Sequence, residues 1–525
     1  MTAMKSPEIQ NIGLSLLDRS RKGLTIFSYV GLVTLLLLIQ IGFMFAIAYW
    51  FEEFFFHYFA VSTLFALVMV IYLINSSIDP TAKITWLILI MLLPAFGTPL
   101  FLYIRCDIGH RTLAARFAQM TARTCRYLPQ QAQTLEQLQQ EHPASAALVH
   151  YLQRSGCHPA YQNTEVTYFP SGEAKFEALL RELEQAEHFI FLEYFIIREG
   201  LMWGKILEIL ARKAAQGVEV RVMYDGTCEF SDLPHDYPKR LSQIGINARV
   251  FSPLTPFVST HHNYRDHRKI LVIDGHTAFN GGINLADEYI NHVPRFGHWK
   301  DTAVMLRGEA AQSFTLMFLQ MWHLGEASPD FSPYLQGAPA MDAQGYVVPY
   351  GDCPLDHDKV GERVYMDLLN RASRYVHIMS PYLILDGELE TALCFAAERG
   401  VDVQLILPGI PDKRIPYALA KTHYARLTAA GIKIYEYTPG FIHAKSFVVD
   451  DTEAVVGTIN LDYRSLYHHF ECATYLYNTD CIADIEADFQ QTRAQCRLVD
   501  LRSIRRPGLY NKLVGAIMKG FAPLL

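Results

Sequence analysis

Residues 267–274 read HRKILVID, and residues 443–450 read HAKSFVVD. Both stretches place a lysine two positions after a histidine and an aspartate five positions after that lysine. One such match in a chain of 525 residues is weak evidence, because an ordinary edge strand with a basic end would also produce it. The second match indicates that the chain contains a duplicated unit.

The duplication extends to both sides of the two motifs. Upstream, HFIFLEYFII (188–197) aligns with YVHIMSPYLI (375–384), and downstream GGIN aligns with GTIN. The first copy has an additional segment, FVSTHHNYRD, directly before its motif. Within each copy, short β-branched and aromatic runs alternate with segments of helical periodicity. This order predicts an α/β fold of two tandem α/β sandwich repeats related by a pseudo-twofold axis.

The motif residues predict a site that the two repeats share. Side chains alternate along a strand, so the histidine and the lysine of each motif point to the same face. The two aspartates fall on the opposite face, and we expect them to brace the motif rather than contact a substrate. The glycines of GGIN and GTIN permit close approach of a backbone, and the asparagines that follow can present amide donors. The predicted catalytic residues are His267, Lys269, Asp274, His443, Lys445 and Asp450, with Asn284 and Asn460 as phosphate-binding residues.

Two imidazoles, two ammoniums and two amides that face one another suit a single phosphodiester. The ammonium and amide groups can neutralise the non-bridging oxygens, while one histidine attacks phosphorus to give a phosphohistidine. The other histidine can protonate the leaving alkoxide and then deprotonate the incoming hydroxyl. A nucleophilic histidine is usually held in one tautomer by a hydrogen-bonded partner. Asp301 and Glu471 are candidate orienting carboxylates, and structural salt bridges are the alternative role for both.

The composition is that of a membrane protein, since hydrophobic residues make up 50% of the chain and charged residues only 19%. Residues 23–51, 58–78 and 84–104 contain no Asp, Glu, Lys, Arg or His. A helix needs about 20 apolar residues to cross a bilayer. The pattern therefore predicts an α-helical membrane region with spanning helices at about 24–50 and 57–77.

The third apolar run is predicted to be a re-entrant or interfacial hairpin. Pro94, Gly97 and Pro99 would break a straight helix there. Basic residues precede the first run and follow the third, and both basic flanks favour the cytoplasm, which requires an even number of crossings. Two crossings place the rest of the chain in the cytoplasm, whereas three would place it outside.

Other features exclude some classes of function. The net charge of −7 argues against a general nucleic-acid-binding surface. The nine cysteines show no paired spacing, so most are expected to be reduced core residues. His261 and His262 lie close to His267, but no set of acidic or cysteine ligands accompanies them apart from Asp266, and no metal site is predicted. His468 and His469 are interpreted as loop histidines near the cleft.

The composition and the repeat define four predicted segments. The last of them ends in RRPGLYNKLVGAIMKGFAPLL, which is either a packed helix or an interfacial helix on anionic lipid. The segments are a membrane region (1–104), a helical connector (105–160), repeat 1 (161–345) and repeat 2 (346–525).

The doubled motif with its trailing GGIN and GTIN resembles the phospholipase D superfamily over roughly residues 165–500. The membrane hairpin, GGINLADEY with GHWKDT, and GTINLDYRS before FE resemble bacterial cardiolipin synthases in particular. The resemblance implies a multi-pass enzyme of the bacterial inner membrane that needs no metal or other cofactor. It implies transfer of a phosphatidyl group from one phosphatidylglycerol to another, giving cardiolipin and glycerol. It also favours His267 as the nucleophile and His443 as the acid and base.

Two other functions stay open at the level of sequence. Water can replace the alcohol as acceptor, which would make the protein a phospholipase D-type hydrolase, and another alcohol such as phosphatidylethanolamine can replace phosphatidylglycerol. A membrane scaffold with a relic fold is disfavoured, because both copies keep the histidine, the lysine and the aspartate.

Overall fold

The computed structural model describes residues 42, 45, 46, 49 and 52–524, apart from 77, 93, 106–107, 253–263, 327–328, 357 and 501–508. The helix predicted at about 24–50 therefore lies almost entirely outside the described residues. The helix predicted at about 57–77 overlaps a helix that is observed over Glu52–Asn75 (α1), and the prediction runs two residues past its end.

The apolar run 84–104 folds back on itself as two helices, Pro80–Leu92 (α2) and Pro94–Arg105 (α3). Asp79 begins α2, since its carboxylate accepts hydrogen bonds from the backbone N–H groups of Thr81 and Ala82 at 2.9 and 3.1 Å. The two helices pack closely at Gly97, where an added Cβ would lie 2.7 Å from the carbonyl oxygen of Leu89. Among the residues that the structure describes, no helix combines the length and apolar character that crossing a membrane requires.

Three helices connect this hairpin to the first repeat: Ile108–Thr124 (α4), Ala132–Glu141 (α5) and Pro143–Gly156 (α6). Cys125 and Cys157, just beyond the ends of α4 and α6, form a disulfide with their Cα atoms 5.4 Å apart. The expectation of unpaired cysteines was wrong for these two, because the packing of the helices brings together residues that are 32 positions apart. The other described cysteines are free, and most are buried.

The first repeat is built on a seven-stranded sheet with strand order β1-β9-β7-β6-β2-β3-β4. A parallel half, β2-β3-β4, joins an antiparallel half through the motif strand β6. Its strands are β1 (Glu165–Phe169), β2 (Phe189–Tyr194), β3 (Glu219–Asp225), β4 (Asn247–Phe251), β6 (Lys269–Ile273), β7 (Thr277–Gly281) and β9 (Ala303–Arg307).

The second repeat has the same order, β10-β17-β16-β15-β11-β12-β13, with β18 added at one edge. Its strands are β10 (Tyr346–Asp352), β11 (Tyr375–Met379), β12 (Asp402–Pro408), β13 (Lys433–Tyr437), β15 (Ser446–Val449), β16 (Glu453–Gly457), β17 (His469–Tyr477) and β18 (Cys496–Leu498). Three short strands, β5 (Arg265–Asp266), β8 (His298–Lys300) and β14 (Gly440–Ile442), link the two repeats, as described below.

The predicted α/β repeat is confirmed, although one aligned pair was shifted by a residue. Ile190 pairs with Ile273 in the first sheet, and Val376 pairs with Val449 in the second. The motif equivalence therefore aligns Ile190 with Val376, whereas the sequence comparison aligned it with His377. Similar apolar runs of different length leave such a register open, and hydrogen bonding decides it.

Helices cover the outer faces of both sheets, and a shared core joins the two repeats. The helix Ala311–Trp322 (α11) is buried at every residue except Gln312 and packs between the sheets. Apolar side chains of β6, β16 and β17 belong to the same cluster, so the repeats form one continuous core. The other helices are α7 (Gly172–Gln185), α8 (Leu201–Ala215), α9 (Cys228–Ser231), α10 (Tyr237–Gln243), α12 (Val360–Arg371), α13 (Gly387–Glu398), α14 (Arg414–Ala429), α15 (Tyr463–Tyr467), α16 (Cys481–Arg493) and α17 (Leu509–Lys519).

The C-terminal helix α17 packs on repeat 2. Gly515 lies against α14, where an added Cβ would come within 2.7 Å of the carbonyl oxygen of Ala418. Leu513 and Ile517, one turn apart, are exposed on α17. Thr85 of α2 donates a hydrogen bond to the carbonyl oxygen of Gly520 at 2.8 Å, so the helical hairpin and the C-terminal segment are in contact.

Candidate active site

Each motif is held at its start by a strand of the other repeat. In repeat 1, β5 pairs in parallel with the beginning of β17, and the backbone N–H of His267 donates to Phe470 O at 2.9 Å. In repeat 2, β14 pairs in parallel with β8, and the backbone N–H of His443 donates to Lys300 O at 2.7 Å. The two contacts are equivalent under the pseudo-twofold. They place each candidate histidine beside the residue that follows its hydrogen-bonded partner, Glu471 after Phe470 and Asp301 after Lys300.

The two candidate carboxylates are exchanged between the repeats. Nδ1 of His267 lies 2.9 and 3.0 Å from the carboxylate oxygens of Glu471, which belongs to repeat 2. Nδ1 of His443 lies 2.7 Å from Oδ2 of Asp301, which belongs to repeat 1. All four side chains are buried. A carboxylate at Nδ1 fixes the ring and leaves Nε2 of each histidine for chemistry.

The buried environment holds both imidazoles neutral. Burial, followed by the charge of Lys269, lowers the pKa of His267 well below its ordinary value of 6.5. Burial and Lys445 lower the pKa of His443 to about 4, although Asp301 opposes the shift. A neutral imidazole has the lone pair that a nucleophile or a base requires.

The two lysines lie against the histidines and retain much of their charge at neutral pH. Nζ of Lys269 donates to the carbonyl oxygen of His267 at 2.6 Å, and Nζ of Lys445 lies 2.8 Å from Nδ1 of His443. Burial lowers the pKa of Lys269 to about 8 and that of Lys445 to about 7. An anion bound between them would favour the charged form of both.

The two predicted phosphate-binding asparagines are in different environments. The side-chain amide of Asn284 donates to the Tyr289 hydroxyl at 2.8 Å, and its oxygen accepts from the backbone N–H of Ile196 at 3.0 Å. Asn460 is equally buried, but its side-chain oxygen has no hydrogen-bond partner among the described residues. Asn460 is therefore the less constrained of the two amides.

The two motif aspartates accept backbone hydrogen bonds at the end of each motif strand that lies away from the histidine. The carboxylate of Asp274 accepts from the backbone N–H groups of Glu187, His188 and Phe189 at 2.7–2.8 Å. Asp450 accepts in the same way from the backbone N–H groups of Ser373, Arg374 and Tyr375, which lead into β11. Both aspartates have positive φ angles, 51° and 53°, at the turn that follows the motif strand. These contacts attach each motif strand to the antiparallel strand beside it, β6 to β2 and β15 to β11.

Sequence reasoning missed a third histidine in this site. His469 was interpreted as a loop residue, but it is the first residue of β17, and its ring centroid lies 5.2 Å from that of His267. In the other half of the site the equivalent residue is Trp299, whose ring lies 5.3 Å from His443. The alternation of strand side chains was an available signal, because His469 stands two residues before Glu471 and shares its face.

The residues beside the two carboxylates also differ. The hydroxyl of Thr458 donates to Glu471. Its counterpart is Gly282, where an added Cβ would lie only 2.1 Å from Oδ1 of Asp301. Burial raises the pKa of Glu471 well above its ordinary value. Burial also opposes ionisation of Asp301, but His443 and Lys445 hold the pKa of that carboxyl below its ordinary value.

Two groups of side chains in the described part of the chain have the spacing of metal ligands. The first is His267, His469 and Glu471, but the adjacent ammonium of Lys269 disfavours a dication there. The second is Glu362, Asp386 and Glu388, where Lys359 already lies 3.3 Å from Glu362. Neither group therefore makes a good case for a resident metal ion.

The duplicated fold and the paired histidine–lysine site define a member of the phospholipase D superfamily. The family described as "Cardiolipin synthase, PLD-like domain" matches residues 179–322 and 365–493. A cardiolipin synthase of Geobacillus sp. (strain WCH70) is 34% identical over 453 residues, which cover 85% of this chain and 89% of that protein. This chain belongs to the cardiolipin synthase family.

Two further proteins are similar to this chain, one in sequence and one in structure. An uncharacterised protein of Streptococcus mutans is 59% identical over 457 residues, covering 87% of this chain and 99% of that protein. The crystal structure of phosphatidylserine synthase from Haemophilus influenzae matches with a TM-score of 0.55 and 15% sequence identity, over 69% of this chain and 95% of that one. At that identity the second similarity concerns the fold alone.

Proposed function

We propose that this protein is a membrane phosphatidyltransferase that converts two molecules of phosphatidylglycerol into cardiolipin and glycerol through a phosphohistidine. The observation that carries the proposal is the pair of buried histidines, each oriented by a carboxylate of the other repeat at 2.7–3.0 Å and each accompanied by a lysine. This arrangement supplies a nucleophile, an acid and base, and a cationic site for one phosphodiester.

In the first step Nε2 of His267 attacks phosphorus, and the bond from phosphorus to the glycerol oxygen breaks. Lys269 and Lys445 stabilise the charge on the non-bridging oxygens. His443 protonates the departing glycerol. The resting His443 is neutral, but the bound phosphodiester and Asp301 both favour its charged form and raise its pKa in the complex.

In the second step the terminal hydroxyl of another phosphatidylglycerol attacks the same phosphorus. His443 takes the hydroxyl proton, the bond between phosphorus and His267 breaks, and cardiolipin leaves. One proton is given and one is taken at His443, so the cycle returns the enzyme unchanged.

The closed character of the site supports transfer to an alcohol over hydrolysis. Both histidines are less than a tenth exposed. Tyr289, Trp299 and Phe441 surround the ring of His443 with centroid distances of 5.3–5.9 Å. Such a wall limits the access of water to the side where the acceptor must enter. Water and phosphatidylethanolamine are the alternative acceptors.

The proposal places the protein in the bacterial inner membrane, where its substrates reside, with the catalytic repeats in the cytoplasm. Ile84, Ile88 and Met91 form an exposed apolar face on α2, which suits contact with lipid. The Cys125–Cys157 disulfide would instead favour an oxidising compartment. Labelling of engineered cysteines from each side of the membrane would decide between the two placements.

The test uses purified protein in detergent with labelled phosphatidylglycerol and no added metal or nucleotide. Equal amounts of cardiolipin and glycerol are expected. Phosphatidic acid in place of cardiolipin would mean that water is the acceptor, and the protein would be a phospholipase. His188→Ala is the matched control, since His188 is exposed at the far end of β2 and should not affect turnover.

A further inference from the structure

His469 forms the end of a chain of three groups that runs from the proposed nucleophile. Nδ1 of His267 lies 2.9 Å from Oε1 of Glu471, and Nδ1 of His469 lies 3.6 Å from the same oxygen. The side chain of His469 is only 7% exposed. The carboxylate therefore stands between two imidazoles, and only one of them is in hydrogen-bond contact with it.

Neither ring nitrogen of His469 has a hydrogen-bond partner among the described residues. A buried imidazole without partners is costly, and native proteins rarely keep one without a role. The cationic groups that face it are Lys269, Arg464 and Arg265, together with His468. Burial and these charges lower the pKa of His469 well below its ordinary value, so the resting ring is a neutral proton acceptor.

Among the described residues, the other half of the site has no such group. Trp299 occupies the equivalent place beside His443. Its indole can donate a hydrogen bond but cannot take up a proton. Asp301 thus contacts the imidazole of His443, whereas Glu471 lies within 3.6 Å of two imidazoles.

We propose that His469 is a positioning residue that accepts a proton from Glu471 while His267 carries the phosphatidyl group. The inference rests on the proposed covalent step. When His267 forms its bond to phosphorus, its ring becomes cationic and needs an ionised carboxylate at Nδ1. Glu471 transfers its proton to Nδ1 of His469, which leaves a carboxylate facing the phosphoimidazolium. When the acceptor alcohol displaces His267, the proton returns to Glu471.

The raised pKa of Glu471 is consistent with this cycle, because it keeps a proton on that carboxyl in the resting state. Thr458 fixes the other carboxylate oxygen through its hydroxyl, so the oxygen shared by the two imidazoles stays in place. No oxidant, metal or additional reactant is required, since one proton moves out and back.

The experiment measures the burst of p-nitrophenol from a phosphatidyl p-nitrophenol diester in mixed micelles. This leaving group needs no protonation, so the burst reports attack by His267 alone. His469→Asn keeps a small polar side chain that cannot take up a proton, and His469→Phe removes the polar atoms. In both variants we expect the burst rate to fall by roughly tenfold or more, with KM changed less than threefold in His469→Asn.

His468→Asn is the matched control, because the ring of His468 contacts the carbonyl oxygen of Pro523 at 3.2 Å instead of Glu471. Its burst rate should equal that of the wild type, and thermal unfolding checks that every variant is folded. A wild-type burst rate in His469→Asn across pH 5–9, with a slow burst in Glu471→Gln, would overturn the role of His469. Absence of a burst and of a trapped phosphatidyl-enzyme in the wild type would instead overturn the covalent step itself.

Discussion

The His267 and His443 halves of the site have the same backbone plan and different neighbours. Each histidine is followed by a lysine and oriented by a carboxylate from the opposite repeat. Around His267 that carboxylate is Glu471, and the adjacent ring is His469. Around His443 the carboxylate is Asp301, and the adjacent ring is Trp299.

The difference shows how a symmetric duplication can serve an asymmetric reaction. In the proposed phosphatidyl transfer, one histidine forms a covalent bond to phosphorus, and the other donates and accepts protons. Under the proposed mechanism, the two motifs supply the same imidazole to both tasks. The supporting side chains set the charge at each Nδ1, and they are the part in which the two halves differ.

The largest expected effect is the loss of either histidine. His267→Ala and His443→Ala should each lower turnover by roughly 10⁴-fold or more, because each removes a group that acts on the reacting atoms in the proposed mechanism. Trapping with the p-nitrophenyl diester separates the two roles. His443→Ala should still accumulate the phosphatidyl-enzyme, and His267→Ala should not. The reverse pattern would exchange the two assignments, and wild-type-like activity in either variant would exclude the two-histidine mechanism.

The second-largest loss of turnover is expected when either of the two carboxylates is replaced. Asp301→Asn removes the charge that supports His443 and should lower kcat by roughly 10²–10⁴-fold, as expected for the carboxylate partner of a catalytic histidine. Glu471→Gln should lower kcat by a smaller factor, since it keeps the neutral form that the raised pKa favours in the resting enzyme and loses only the ionised form that is required while His267 is bound to phosphorus. Steady-state kinetics on the two variants test the order. An equal loss in both would mean that the two halves are electrostatically alike.

The lowered pKa values of the two lysines predict that substrate affinity depends on pH. Their pKa values are lowered to about 8 for Lys269 and about 7 for Lys445. Substrate affinity should therefore be greatest below pH 7 and should weaken as pH rises through 7–8 and the ammonium charges are lost. KM profiles for the wild type and for Lys445→Arg test this, since a guanidinium stays charged and should flatten the alkaline limb. A KM in the wild type that does not change from pH 6 to pH 9 would contradict it.

The smallest expected effect on chemistry belongs to the motif aspartates, where the two halves are alike. Asp274→Ala and Asp450→Ala should each destabilise the fold by about 1–3 kcal/mol, because backbone N–H groups lose a charged acceptor. Burial opposes ionisation of Asp450, but hydrogen bonds from Tyr375 and Ser373 hold the pKa of that carboxyl below its ordinary value. Its contribution to stability is thus present above pH 4 and is lost as pH falls through the lowered pKa. Denaturant unfolding of the two variants should give similar losses, and unequal losses would show that the bracing is not symmetric.

Several features of the molecule were predictable because they repeat or have a local period. The sandwich repeats followed from alternating strand and helix patterns, and the break in the apolar run 84–104 followed from Pro94, whereas Gly97 and Pro99 lie within α3 and do not interrupt it. The paired cysteines and the third histidine were not predictable in the same way. Cys125 and Cys157 meet only because two helices pack together, and His469 meets His267 only because strands of different repeats pair.

The sequence by itself determined the duplication, the two histidine–lysine pairs and the two acidic candidates, because each is a matter of residue type and spacing along the chain. Only the tertiary structure decided which carboxylate serves which histidine. Asp301 and Glu471 each follow a motif of their own repeat in sequence, yet each orients the histidine of the other repeat. The physical reason is the exchange of short strands across the pseudo-twofold, a long-range pairing that leaves no trace in local sequence patterns.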